Sequence, residues 1–177
     1  MTMQLIQHQE LGSAQASLTF GSIPQSFTDL YLLVSVRLSS ANSEGLFIEF
    51  NGSTSGYSAR DLYGTGSSAA SSTNPYGITS KLFIGSQASS AQTASTFNNT
   101  SVYIPNYTSS TSKSVSTENV METNATATNM DVLAGLWTGT SAISSIVITS
   151  NNGNLVQYSS ATLFGILKGS DGVTTVS

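Results

Sequence analysis

Phe27-Thr28-Asp29-Leu30-Tyr31-Leu32-Leu33-Val34-Ser35-Val36-Arg37-Leu38 is the stretch whose pattern decides the fold. Leu30, Leu32, Val34, Val36 and Leu38 fall on one side of an extended chain; Tyr31, Leu33, Ser35 and Arg37 fall on the other. Five aliphatics in step at period two describe a strand with one face in a core and a more polar opposite face. Asp29 stands at its entry, after Pro24-Gln25-Ser26, where a carboxylate can cap a turn. Arg37 stands at its far end and is expected to form a local salt bridge.

The same period recurs outward from this strand. Leu46 to Phe50 reads as a second strand, stopped by Asn51-Gly52, with Tyr57 to Tyr63 as its expected hairpin partner. Ile78–Ile84, Thr96–Ile104, Lys113–Thr117, Met130–Trp137, Ile143–Thr149 and Ala161–Lys168 follow. Leu18 to Phe20 reads as a short edge strand. Asn151-Asn152-Gly153-Asn154 before Leu155–Tyr158 is the clearest hairpin signal. One short turn of helix is expected between Thr117 and Asn129. The Ser/Ala/Gly/Thr-rich stretches 64–74, 86–95 and 109–112 read as surface loops. Together these predict an all-β chain, an antiparallel β-sandwich. It forms a single domain over residues 1–177, with an N-terminal arm at about 1–12 and a C-terminal tail at about 169–177.

Composition narrows the function. Only 8% of the 177 residues are charged, whereas roughly a third are Ser or Thr. There is no Cys and a single His, so disulfides, thiolate metal sites and His-based zinc sites are excluded. The net charge of −4 and five scattered cations oppose nucleic-acid binding. No apolar run is long enough for a membrane helix. The first residues carry no basic n-region, so a signal peptide is not expected. Sequons at Asn51, Asn98, Asn99, Asn106 and Asn124 are read as chance in so hydroxyl-rich a chain.

No catalytic pattern emerges. His8 is near-terminal and is read as solvated. Metal, phosphate and nucleophile-elbow motifs are absent. Nine carboxylates leave Glu49 and Asp61, flanking the Asn51-Gly52 turn, as a pair that a glycosidase mechanism would need face to face. The preferred reading is a local role for each. Trp137 and the seven tyrosines offer surfaces for sugars, although strand aromatics are more often core or cross-strand partners. No catalytic, cofactor-binding or metal-binding residue is therefore assigned, and no cofactor is expected.

The segment Phe20-Gly21-Ser22-Ile23-Pro24-Gln25-Ser26-Phe27-Thr28-Asp29-Leu30-Tyr31-Leu32-Leu33-Val34-Ser35-Val36-Arg37 resembles a pattern in small virion proteins of tailed phages, especially marine and cyanobacterial ones. Phe50-Asn51-Gly52, Tyr57-Ser58-Ala59-Arg60, Leu163-Phe164-Gly165-Ile166 and Lys168-Gly169-Ser170 continue it. The resemblance implies a jelly-roll-like virion structural protein without catalytic residues. Its expected role is a capsid decoration or cement subunit on the capsid surface, a homotrimer bound to the major capsid protein. The alternative is a tail or fibre module that binds host glycans. Neither reading involves nucleic acid or membrane. The expected contact lies on loops at one end of the sandwich or on Thr2 to Leu11.

Overall fold

A computed structural model describes residues 2–42, 44–124 and 128–167. Twelve strands form two antiparallel sheets. They are β1 (Thr2–Glu10), β2 (Ser17–Phe20), β3 (Asp29–Val36), β4 (Glu44–Phe50), β5 (Tyr57–Gly64) and β6 (Ala69–Thr73), then β7 (Leu82–Gln87), β8 (Asn98–Ile104), β9 (Lys113–Met121), β10 (Asn129–Trp137), β11 (Ile146–Ser150) and β12 (Ser160–Leu167). A 3₁₀ turn, Pro75–Gly77, precedes β7. The predicted C-terminal tail, with Lys168-Gly169-Ser170, lies outside the described residues.

The larger sheet runs β1-β12-β3-β8-β9-β10-β5-β6 and the smaller β2-β11-β4-β7. Strands pair from the chain ends inward: β1 with β12, β2 with β11, β3 with β8, β4 with β7. This nested pairing, divided between two facing sheets, is a jelly roll. Two hairpins are inserted into it. β5-β6 lies between β4 and β7, and β9-β10 between β8 and β11. β10 pairs with β5, so the insertions join and extend the larger sheet beyond β8.

β3 fulfils its pattern. Leu30, Leu32, Val34, Val36 and Leu38 are all buried between the sheets. β4 is buried on both faces: Leu46, Ile48 and Phe50 enter the core, and Phe47 from the alternate phase packs on Phe83 and Tyr76. A bulge between Leu46, which meets Gly85, and Phe47, which meets Phe83, shifts the register of β4 on β7 by one residue.

Several local expectations are corrected. Tyr57–Tyr63 is not the hairpin partner of β4. Asn51 and Gly52, both at positive φ, turn the chain out of the smaller sheet, and β5 joins the larger one. The turn stays anchored because Tyr57 Oη accepts from the Phe50 amide at 2.8 Å. The Asn151–Asn154 segment does not close a hairpin either. Asn151 and Asn152 donate to Glu44, Gly45 N donates to Asn151 Oδ1, and Leu155 makes only bridges to Gln15 and Leu38. Of the stretch from Thr117 to Asn129, residues 117–121 are extended in β9 rather than helical, and residues 125–127 lie outside the described residues. Residues 64–74 contain a strand, β6. The N-terminal arm is β1, paired to its own β12.

Val34 is 1% exposed at the centre of this core. An aspartate there has no partner, and burying it costs several kcal/mol. Val34→Asp is therefore expected to abolish the cooperative unfolding transition seen by circular dichroism. A folded, soluble variant would contradict the assignment of β3.

Candidate functional site

The inner face of the larger sheet changes character along its width. Under the jelly roll it is apolar; under the extension it is polar. One cross-strand row reads Val34, Thr100, Asn119, Asp131, Tyr63. The next reads Leu32, Val102, Thr117, Leu133, Asp61, Ser72. Strand β7 crosses over these rows. It comes close because residue 85 is Gly, at φ 137°: a Cβ there would lie 2.4 Å from the Asn119 side chain.

Asn119 is fully buried and fully bonded. Its Oδ1 accepts from Thr100 Oγ1 at 2.7 Å and Gln87 Nε2 at 3.2 Å, and its Nδ2 donates to Ser86 O at 2.9 Å and Asp131 Oδ2 at 2.7 Å. Asp131 is also fully buried and accepts from the Ser86 amide and from Asn129 Nδ2. Burial pushes its carboxyl upward, while the bonds from Asn119, Ser86 and Asn129 pull it back.

Asp61 projects from β5 diagonally across from Asp131 on the same face. It is 5% exposed, and its only described bond comes from Ser72 Oγ at 3.5 Å. Its Oδ1 is enclosed without a hydrogen-bond partner. Burial, then the Asp131 charge, push its carboxyl up to about 6. Burial raises both carboxyls; several donors hold Asp131, whereas Asp61 has only the Ser72 hydroxyl.

Above Asp61 opens a cleft of about 330 Å³, lined by Tyr63, Ser72, Tyr76, Phe83, Ser86 and Asn129 among others. Tyr76 forms its rim, held at φ 63°, ψ 7° in the left-handed region. The preceding residue but one, Asn74, is left-handed too, and clamps the turn to β5 by exchanging bonds with both the amide and the carbonyl of Ala59. Tyr76 leans on Phe83 and Phe47, with ring centroids 5.8 and 6.2 Å away.

The sequence-derived candidates are dispersed. Glu49 and Asp61 do not form a pair: Glu49 lies in the smaller sheet and binds Lys81 at 3.1 Å, while Asp61 belongs to the larger. Asp29 does act as a cap. It accepts from Tyr103 Oη at 2.8 Å and from the Asn106 amide at 2.9 Å, securing the turn after β8. Arg37 makes no local salt bridge among the described residues; it donates to carbonyls of Gln92, Thr93 and Thr96 and so ties down the 88–97 loop. His8 is exposed on β1, 2.8 Å from Thr162 Oγ1. Trp137 is core, stacked on Tyr57 and covered by the buried Lys113. The Asp131–Asn119–Asp61 group was missed. Its signal was polar residues at the inward phase of β5, β9 and β10.

A second feature lies on the opposite face of the same sheet. Leu62, Val120, Met130 and Val132 all point outward on β5, β9 and β10, with Leu62 59% and Met130 60% exposed. They are contiguous, because Val120 opposes Met130 and Val132 opposes Leu62. At the far end Met3 and Leu5 of β1 are also exposed, and Leu5 opposes Phe164. Between the two ends the face is mixed: Ser101 opposes Glu118 on one side and the exposed Leu33 on the other. Exposed apolar patches of this kind mark contact surfaces. The chain matches no protein-family model, and no curated protein shows significant similarity to it.

The Asp61 carboxyl has a pH consequence. Its folded pKa, about 6, exceeds the ordinary value of 3.8, so the native state holds the proton more tightly. This contribution is fully present below about pH 4 and is lost as pH rises through about 6, a change of at most about 3 kcal/mol. Asp61→Asn is expected to remove it. Unfolding of both proteins from pH 4 to 8 should show the variant gaining stability relative to wild type as pH rises. A pH-independent difference would contradict the environment described.

Proposed function

We propose that this chain is a phage virion structural protein, a capsid decoration subunit that acts as a homotrimer bound to the major capsid protein. The observation that carries the reading is the outer face of the larger sheet. It exposes apolar side chains at the β5/β9/β10 end and at the β1 end, with a mixed strip between them where Tyr31 and Leu33 lie beside Asn99, Ser101 and Glu118. An isologous dimer uses one patch twice. Two different patches on one subunit suit head-to-tail contacts, which close into a ring when the rotation allows. The low charge fits as well, because the cores of protein interfaces are depleted of Lys, Asp and Glu. The jelly roll is a common architecture of capsid domains, although the fold alone hosts other functions.

Repetition on a shell supplies avidity, so each contact can be modest. A subunit that binds only the assembled lattice stabilises it by mass action. With five cations and nine carboxylates spread along the sequence, attachment should depend weakly on salt.

Val132→Asp places a charge in the middle of the larger apolar area without touching the core, since Val132 is exposed. Sedimentation velocity should show trimers for wild type and monomers for the variant, with identical circular dichroism. In virions that carry the protein, immunogold labelling should cover the shell. Monomeric wild-type protein, or label confined to the tail together with binding to host lipopolysaccharide, would overturn this reading in favour of a tail module.

A further inference from the structure

The geometry points to the cleft above Asp61 as a binding site for a neutral saccharide ring, with Tyr76 as the stacking platform and Asp61 as the hydroxyl acceptor. Its chemistry excludes other ligand classes in turn. No Lys, Arg or His lines the cleft, so nothing is present to hold a phosphate or a carboxylate. A divalent cation needs several convergent oxygens. Here Asp131 already has both oxygens committed to Asn119, Ser86 and Asn129, Glu44 beside Tyr76 is bound by Asn151 and Asn152, and no group of three His, Cys, Asp or Glu converges among the described residues. The lining divides into aromatic carbon, from Tyr76, Tyr63 and Phe83, and short hydrogen-bonding groups, from Asp61, Ser72, Ser86 and Asn129, interleaved along β5 and β7.

That division matches a pyranose, whose C–H face packs on an aromatic ring while its hydroxyls meet acceptors and amides. The volume, about 330 Å³, lies at the small end of ligand clefts and suits one or two sugar rings. Two further observations support a site rather than a crevice. Asp61 lines the cleft, and its Oδ2 accepts only a long 3.5 Å bond from Ser72 Oγ, which leaves this oxygen able to take a hydroxyl donor. Asn74 and Tyr76 both hold left-handed backbone conformations, and Tyr76 is left 48% exposed by them. Backbone strain of this sort is stored where a side chain must be presented. The cleft opens on the inner side of β5, whereas Leu62 of the apolar face points the other way, so the two surfaces can be occupied together.

The test uses the whole purified chain and methyl glycosides of glucose, galactose, mannose and N-acetylglucosamine. Each is added to isotopically labelled protein while amide and side-chain shifts are followed, and saturation transfer from the aromatic protons to the sugar is recorded. At least one glycoside should shift Asp61, Ser86 and Asn129 and leave Leu62 and Val132 unmoved. Tyr76→Ala should abolish the transfer, and Asp61→Asn should weaken affinity about tenfold, the size of one charge-assisted hydrogen bond. Val132→Asp should bind as wild type does. Should Tyr76→Ala fail to fold, the shift map of the wild type and the Asp61→Asn affinity decide. No response to any glycoside, shifts confined to the outer face, or an unchanged affinity in both variants would overturn the proposal. So would a response to calcium chloride with none to the sugars.

Discussion

The hydrogen bonds of Asn119 to Ser86 and Gln87, made possible by the close approach of β7 at Gly85, hold the extended sheet to the sandwich. β7 belongs to the smaller sheet through β4, and it meets the larger sheet at β9 and β10 both through Leu82, which packs on Gly135, and through a layer of amides and carboxylates around Asn119. Asn119 binds four groups at once, on the two neighbouring strands β8 and β10 and on β7. A buried amide that lost one of these partners would leave a polar group unsatisfied at a cost of about 1–3 kcal/mol. Such a network is favourable only when complete. It therefore fixes the register of β9 and β10 on β7, and with it the positions of Asp61 and Asp131 and the face turned to the outside.

This constraint explains how one sheet carries two unlike surfaces. On the inner side, polar residues at the inward phase build the cleft floor and bring together Asp61 and Asp131, which are far apart in the chain. On the outer side, the same strands leave Leu62, Met130 and Val132 uncovered. The inserted hairpins are not needed to close the jelly roll, whose four nested pairs are complete without them. They add both the cleft and the larger apolar area. In the reading advanced above, the jelly roll is the support and the extension is where this protein meets its partners.

Strand positions were legible in the sequence because period two reveals which residues share a face. Leu30 to Val36 of β3 shows this directly. Pairing was not legible, since alternation says nothing about a strand's neighbours. Asn51-Gly52 looked like a hairpin turn, but the same positive-φ pair here sends the chain to the other sheet. Asn151–Asn154 looked like another, but its amides serve the buried Glu44. β6, made of Ala, Ser and Thr, has no apolar alternation to detect. The cleft was hidden for the same reason as the pairing. Asp61 was compared with Glu49, close in sequence, whereas its actual neighbour Asp131 arrives through the β5–β10 ladder.

The central claim is that the apolar outer face is covered in the assembled protein. Methionine oxidation by hydrogen peroxide measures this directly, with peptide mass spectrometry as the readout. Met130 and Met3 are exposed on the two ends of that face, and Met121, 3% exposed, is an internal control. In virion-bound protein both Met130 and Met3 should oxidise several-fold more slowly than in the dissociated, folded Val132→Asp chain, with Met121 slow in each. Equal rates for Met130 and Met3 in the two states would show the face open to solvent and contradict the account.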